Sequence, residues 1–120
     1  MVTLLGRRLH LPTSSRHSDM SYVALNRILA GGNADVLKSK MVEIDDYLES
    51  QGRPPIDMLN NIHDALDFQF APEARKVYEE CIEIMQRFGP DDLIHLDVPL
   101  GVDHDTGANW AIATFGEEKK

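Results

Sequence analysis

The stretch MLNNIHDALDFQF, residues 58–70, decides the fold predicted for this chain. Two short apolar runs, residues 56–62 and 66–70, read as strands that fold back over a tight turn at His63 and Asp64. Aspartate is common in such turns because its short side chain hydrogen-bonds nearby backbone and tolerates unusual dihedral angles. The sequence therefore predicts a β-hairpin whose tip carries an imidazole beside a carboxylate.

Two interpretations of Asp64 follow from this pattern. In the first, the residue only forms the turn. In the second, its carboxylate is displayed at the hairpin tip to hold a divalent metal. Magnesium binds through one or two carboxylates and completes its shell with water and substrate phosphates. The pattern alone leaves both interpretations open.

Length and composition indicate one modest soluble domain. The chain has 120 residues, of which 42% are hydrophobic and 27% charged. No apolar run approaches the roughly 20 residues that span a bilayer, and the first residues lack the features of a signal peptide. The single cysteine, Cys81, excludes an internal disulfide and is expected to be buried and inert. We expect a cytoplasmic protein without membrane contact.

The charge is distributed unevenly. The net charge is −8, but residues 1–40 carry six Lys and Arg against two Asp, a net +4. Residues 41–120 carry six Lys and Arg against eighteen acids, a net −12. The basic part suits contact with phosphates, and the acidic part reads as solvated surface.

A long helix is predicted over residues 20–50, with Ser18 or Asp19 as its N-cap. Gly31 and Gly32 interrupt its apolar pattern, and each costs about 1 kcal/mol relative to alanine inside a helix. Either the helix bends there, or another backbone approaches closely where side chains would obstruct it. We expect close approach, with a partner chain or DNA against the two glycines.

The N-terminal residues 1–11 read as a small hairpin around Gly6, with Arg7 and Arg8 at its tip. These two arginines are either solvated turn charges or contacts to phosphate.

The second half of the chain predicts a helix over residues 72–88, with Cys81 on its apolar stripe, and then a strand within residues 93–113. The strand is expected because apolar residues alternate with polar or small ones, at Leu96, Val98, Leu100 and Val102. Residues 117–120 are expected to be a frayed tail. The predicted fold class is α+β, with two long helices packed on a small antiparallel sheet.

Other chemical motifs are weak. The chain has no Cys and His spacing typical of zinc, no phosphate-binding glycine loop after a strand, and no nucleophile with a neighbouring base. The run Asp103-His104-Asp105 has ligand atoms for a cation, but its place in a polar turn favours solvation instead. His95 has no evident partner in the sequence.

Four ordered segments resemble the C-terminal end of the palm of family A DNA polymerases, the bacterial polymerase I and T-odd phage type. LLGRRLHLP is similar to the family's LDGRRLYLP hairpin, and LNRILAGGNADVLKSKM to its long palm helix, INxxxQGxxADIIKxAM. MLNNIHDALDFQF resembles the third polymerase motif, MxxQVHDELVFEV, and LDVPLGVDHDTGANWAIAT resembles the family's final segment, LDVPLxVxxxxGxNW. Four matches in order and at compatible spacing are more specific than any one of them.

The resemblance implies roles for individual residues. Asp64 takes the position of one of the two catalytic carboxylates that hold two Mg²⁺ ions for nucleotidyl transfer. His63 then lies by the primer terminus. Asn61, where the family has Gln, and Asn26 of the long helix are implied to contact the DNA minor groove. Arg7 and Arg8 are added to the expected DNA contacts because of their predicted place at the tip of the N-terminal turn.

Three departures weaken the match at these positions. Ala65 stands where the family has Glu, Ala30 where it has a groove-contacting Gln, and Tyr22 where an Arg is usual. We expect weaker contact with primer-template DNA as a result.

The family's other catalytic carboxylate and its nucleotide-binding fingers helix lie upstream of the matched region. The resemblance therefore implies the C-terminal palm piece of a split, phage-derived polymerase that is inactive alone. A larger polymerase subunit would supply the missing parts and meet it through a large apolar interface, with DNA and dNTP bound in the complex. The alternatives are a non-catalytic structural or regulatory subunit, and a small binding protein of polymerase ancestry.

Overall fold

The computed structural model of the chain describes residues 2–10 and 21–116. In chain order, the elements are helix α1, strands β1 and β2, a 3₁₀ turn, helix α2 and a short helix α3. Their bounds are α1 Ser21–Ser50, β1 Ile56–Ile62, β2 Ala65–Phe70, the 3₁₀ turn Pro72–Ala74, α2 Arg75–Met85 and α3 Trp110–Phe115. The α+β class is confirmed, with helices packed on a two-stranded antiparallel sheet.

The hairpin forms because one of its faces is apolar. Ile56 pairs with Phe70 and Met58 with Phe68, so these four side chains lie on the face that meets the helices. A bulge between Met58 and Asn60 then adds one residue, Leu59, to β1. The bulge reverses the alternation of β1, so that beyond it Asn61, paired with Leu66, faces the helices.

The core lies between this hairpin face, the second half of α1 and one stripe of α2. Buried residues are contributed by all three elements: Ile44, Leu48, Ile56, Ala74, Tyr78, Cys81 and Ile84. The Tyr78 ring stacks on Phe70 with ring centroids 4.6 Å apart and meets Phe68 edge-to-face at 6.3 Å. Burial raises the pKa of the Cys81 thiol to about 11. The cysteine is therefore buried and inert, as predicted.

Lys40 fastens α1 to the chain segment that follows α2. Its side chain is 2% exposed, and its ammonium group donates to a Glu43 carboxylate oxygen at 2.8 Å and to the Arg87 carbonyl. The same group lies 4.3 Å from the centre of the Phe88 ring. A buried cation requires partners of this kind, because an unpaired charge away from water is strongly destabilising.

Helix α1 runs without interruption through its two glycines. A Cβ on Gly31 would lie 2.8 Å from the Thr3 methyl group, and one on Gly32 would lie 3.7 Å from a Leu4 methyl. The close approach is therefore made by the N-terminal segment of the same chain. The expectation of a partner chain or DNA at these glycines is wrong, because residues 2–10 occupy that side of the helix.

The prediction of a strand within residues 93–113 is also wrong. Residues 96–102 form no strand and pair with no described strand, and Val98 and Leu100 are exposed. Pro99 lacks the backbone N–H that a ladder requires, and Gly101 weakens a strand interior. His95, which has no evident partner in the sequence, lies between the Phe88 carbonyl at 3.0 Å and an Asp97 carboxylate oxygen at 3.1 Å.

Other predicted bounds differ by smaller amounts. The helix predicted over 72–88 begins as a 3₁₀ turn and ends at Met85. Within the predicted hairpin of residues 1–11, the described residues 2–10 form a tight turn closed by a single bridge between Val2 and Arg8, rather than two strands. The predicted N-caps Ser18 and Asp19 and the predicted frayed tail, residues 117–120, lie outside the described residues. Within residues 2–10 and 21–116, no helix is both long and apolar enough to span a bilayer.

The two glycines of α1 give a matched pair of substitutions. Gly32→Ala should raise the free energy of unfolding by about 1 kcal/mol, a rise in Tm of about 4 °C, because alanine favours the helix and meets only ordinary contacts. Gly31→Ala should lose this gain, because its methyl group would displace the buried Thr3. Thermal unfolding followed by circular dichroism measures both, and an equal rise in the two variants would contradict the close approach.

Candidate functional site

The hairpin tip is a two-residue turn. His63 and Asp64 lie between the paired residues Ile62 and Ala65, and both side chains are exposed. His63 adopts φ = 53°, in the left-handed region that few residues other than glycine enter. Strained backbone of this kind is found preferentially at functional sites, where the rest of the structure maintains it.

Asp64 provides one carboxylate in an open position. No group of three or more His, Cys, Asp or Glu side chains that could hold a metal is formed within residues 2–10 and 21–116. Mg²⁺ requires about six oxygen ligands but takes as few as one or two carboxylates from protein. Asp64 alone is therefore not a complete magnesium site, although its exposed carboxylate could supply one ligand of such a site.

Asn61 is positioned by α1. Its side-chain amide lies 3.5 Å from the Met41 sulfur, and its backbone N–H donates to the Asn60 side-chain oxygen at 2.9 Å. The Leu59 bulge is the cause of this orientation, since regular alternation would point Asn61 away from the helices. Asn61, His63 and Asp64 are thus grouped at one end of the hairpin, where Asn61 contacts α1.

Asn26 lies away from this group. It is exposed on α1, fifteen residues before Met41 in the sequence, which is about 22 Å along the helix axis. At 3.6 residues per turn the two side chains point within about 60° of each other. Asn26 therefore lies on nearly the same side of α1 as Met41, nearer the N-terminal end of the helix.

Arg7 does not project freely from the N-terminal turn. It donates to an Asp35 carboxylate oxygen at 3.2 Å and to the Gly31 carbonyl at 3.3 Å. Asp35 is buried and also accepts the Leu5 backbone N–H at 3.1 Å. The Thr3 hydroxyl bond, followed by the Leu5 N–H and the Arg7 charge, holds the pKa of Asp35 below its ordinary value of 3.8. Arg7 therefore has a structural role, whereas Arg8 is exposed.

Sequence reasoning missed the residues that position this site from a distance. Met41 reads in the sequence as one more apolar helix position, and Asp35 as one of two acids in a basic segment. Their contacts join residues 20 to 30 positions apart, which no local pattern reveals.

Comparison with models of protein families assigns the chain to one family. The family model described as DNA polymerase family A matches residues 1–112. The chain belongs to DNA polymerase family A.

Individual relatives agree with this family A assignment. The chain is 34% identical over 116 residues to DNA polymerase I of Mycobacterium tuberculosis and 36% identical over 116 residues to that of Mycobacterium leprae. It is 32% identical over 118 residues to DNA polymerase I of Bacillus subtilis. Each match covers 92% of this chain but only 12% of the relative. This family A chain therefore corresponds to a small part of its relatives, and that part includes the hairpin.

The strain at His63 generates a first prediction for this family A hairpin. His63→Gly should keep or raise the free energy of unfolding, by up to about 1 kcal/mol, since glycine enters the left-handed region without steric cost. His63→Val should lower it by about 1–2 kcal/mol, because a β-branched side chain clashes there. Urea unfolding of both variants measures the difference, and equal stabilities would show that the turn is not left-handed.

The Asp35 contacts generate a second prediction. The pKa of Asp35 is lower in the folded chain than its unfolded value of 3.8, so its stabilising effect is present above about pH 4 and is lost as the pH falls through the folded pKa. Asp35→Asn should lower Tm at pH 7, and the difference from the wild type should shrink at pH 3. Asp57→Asn, an exposed carboxylate on β1, is the control. A pH-independent difference for Asp35→Asn would contradict the assignment.

Proposed function

We propose that this family A chain is the C-terminal palm subunit of a split DNA-directed DNA polymerase. The observation that supports it most is the hairpin, whose tip exposes His63 and Asp64 together within the region that matches the family. In the proposal, Asp64 contributes one ligand of a two-metal magnesium site, and the second catalytic carboxylate comes from a larger chain. Alone, the protein does not polymerise.

The chemistry assigned to the site follows from its donors. Bound Mg²⁺ would neutralise charge on the transferring phosphates and lower the pKa of the attacking hydroxyl. Asp64 can hold such an ion because its carboxylate is exposed at the end of two paired strands, which fix its position better than a loop would. His63, one residue before it, is proposed to lie at the primer terminus.

The DNA contacts are proposed along α1. The helix face that carries Asn26 and Ala30 is exposed at both residues. Asn61, on the hairpin, borders the same face. Minor-groove acceptors are nearly the same for all base pairs, so amide contacts there test the geometry of a base pair without reading sequence. Arg8 remains available to contact phosphate, whereas Arg7 is engaged by Asp35.

The need for a partner is supported by the size of the exposed surface. The chain has 9152 Å² of accessible surface, whereas a compact monomer of its mass exposes about 6,500 Å². Its radius of gyration is 18.1 Å, against about 14 Å for a compact domain of 120 residues. Large apolar side chains are exposed on every part of the fold, among them Leu29, Leu59, Leu93 and Trp110. The exposed apolar side chains support our proposal of a large obligate interface with the other subunit.

A non-catalytic role is the second candidate function. Ala65 and Ala30 favour it, because both are exposed and lack the polar groups that the family places there. In this alternative, the chain completes the palm of the larger subunit as a structural or regulatory piece. A third candidate is a small binding protein of polymerase ancestry. The phage origin and the bacterial cytoplasm as its location also belong to the proposal.

The test is primer extension by the assembled polymerase. The larger chain is first identified by mass spectrometry of the co-purifying proteins, as a chain that carries the upstream family A motifs. In the complex, Asp64→Ala should lower the extension rate about 1,000-fold or more, because bound metal supplies several kcal/mol of transition-state stabilisation. Size-exclusion chromatography should show unchanged assembly.

Asp57→Ala is the matched control, since it removes another exposed carboxylate from the same hairpin without touching the tip. It should leave extension within about twofold. Near-normal extension by Asp64→Ala would favour the non-catalytic subunit. A monodisperse, cooperatively folding monomer with no polymerase partner would favour the small binding protein.

A further inference from the structure

One side-chain contact joins the candidate site to α1. The amide nitrogen of Asn61 lies 3.5 Å from the Met41 sulfur. A thioether sulfur carries no hydrogen and acts only as a weak acceptor, so the NH₂ end of the amide, rather than its carbonyl oxygen, faces the sulfur. The contact therefore fixes which way round the Asn61 amide lies.

The position of the sulfur is set by the buried side of α1. Leu37 and Ile44, four residues before and three residues after Met41, are both buried. Residues at these spacings share a helix face, and Met41, which is half-buried, belongs to the same face. Its sulfur is therefore carried by a part of α1 that the core holds in place.

The hairpin brings Asn61 to that sulfur through its bulge. The extra residue, Leu59, turns Asn61 toward the helices, and the Asn61 backbone N–H donates to the Asn60 side-chain oxygen at 2.9 Å. The His63–Asp64 turn begins two residues later. Both the backbone and the side chain of Asn61 are thus fixed immediately before the hairpin tip.

The rest of the Asn61 amide is available to a ligand. A primary amide has two N–H donors and one carbonyl acceptor. The sulfur takes one donor, and the second donor and the oxygen bond to none of the described residues, 2–10 and 21–116. Because Asn61 is exposed, it presents this second N–H and the oxygen to solvent in a fixed orientation.

The minor groove of DNA offers groups that match an oriented N–H. Its edge carries acceptors, such as purine N3 and pyrimidine O2, at nearly equivalent places in all base pairs. An N–H donor of fixed direction fits them at any base pair. A freely rotating amide would also turn its carbonyl oxygen toward these acceptors, which repel it. The orientation of Asn61, and not only its amide, therefore decides whether the contact forms.

We propose that Met41 is a positioning residue of the polymerase site, whose sulfur holds the Asn61 amide with its second N–H directed at the minor groove of the primer-template. This inference rests on the proposed function, because it assigns the group that orients Asn61 for its DNA contact. Met41 itself touches neither DNA nor metal in this assignment.

Two substitutions at Met41 separate an acceptor role from a packing role. Met41→Leu keeps the volume but removes the sulfur, whereas Met41→Gln supplies a carbonyl oxygen as acceptor. In the assembled polymerase, Met41→Leu should lower kcat/KM for primer extension about fivefold, and Met41→Gln should stay within about twofold of the wild type. A packing role predicts the reverse order, since leucine suits a half-buried apolar position better than glutamine. The reverse order would overturn the inference.

Met85→Leu is the matched control. It makes the same exchange on α2, where Met85 packs against the core. Because the exchange conserves volume, kcat/KM should stay within about twofold of the wild type. Circular dichroism and Tm confirm that all variants fold.

The effect of Met41 should depend on the presence of Asn61. Asn61→Ala should lower kcat/KM about tenfold, the effect of losing one hydrogen bond. Adding Met41→Leu to Asn61→Ala should cause no further loss, because the side chain that Met41 orients is gone. A second, equal loss in the double variant would show that Met41 acts independently of Asn61 and would overturn the inference.

The contact itself is tested in the full chain without a polymerase partner. In ¹⁵N NMR relaxation, the order parameter of the Asn61 side-chain NH₂ group should fall below about 0.6, the range of flexible groups, in Met41→Leu. It should remain higher in the wild type and in Met41→Gln. An order parameter that Met41→Leu leaves unchanged would overturn the inference.

The outcomes separate this inference from the proposed function. Unchanged order of the Asn61 amide in Met41→Leu, combined with loss of extension by Asp64→Ala, would overturn the positioning role and leave the catalytic proposal standing. Loss of order in Met41→Leu with near-normal extension by Asp64→Ala would support the contact and overturn the catalytic role. Loss of order in Met41→Leu with normal extension by Asn61→Ala would overturn the assignment of the amide to DNA.

Discussion

The structure depends on the burial of one face of a two-stranded hairpin. An isolated hairpin is at best marginally stable in water, because it has too few contacts to offset the entropy of ordering its chain. Here Ile56 and Phe70 pack against Ile44 of α1 and Tyr78 of α2, at the end of the hairpin away from its turn. The buried end holds the strands together, and the other end extends into solvent. The position of the His63–Asp64 turn, exposed yet rigidly connected to the core, follows from this arrangement.

The remaining parts of the chain make this packing possible. Lys40 fixes the segment after α2 to α1, so that α2 lies over the hairpin. Asp35 binds the N-terminal turn to the other side of α1 through Leu5 and Arg7. Both contacts bury a charge, and both provide it with partners, as burial requires. These two buried charges therefore lie where elements distant in sequence are joined.

Local patterns in the sequence account for the elements and fail for the contacts between distant residues. The two apolar runs on either side of the His63–Asp64 turn predict β1 and β2, and the helical spacing of residues 20–50 predicts α1, because these patterns depend only on residues close in sequence. Alternation also predicts a strand over residues 96–102, where Pro99 and the lack of a partner strand among the described residues prevent one. The Leu59 bulge, the Thr3 contact at Gly31 and the burial of Lys40 depend on residues elsewhere in the chain. At the candidate site, the sequence places His63 and Asp64 at a turn, but the contact between Asn61 and Met41 required the bulge.

His63 at the hairpin tip and the two alanines, Ala30 and Ala65, lead to different expectations about function. Ala30 and Ala65 are exposed, so the polar side chains that they replace had no part in holding the fold together. Under the proposed function, the two alanines would weaken contact with DNA or metal. His63 concerns function as well, but in the opposite direction. Stability alone would favour glycine at φ = 53°, and a histidine there accepts a steric cost for which no described contact compensates. The strained backbone of His63, beside an exposed carboxylate, favours a chemical role for the hairpin tip. The two alanines favour weaker binding of DNA. Both observations are consistent with a subunit that supplies Asp64 and leaves most of the binding of DNA to its partner.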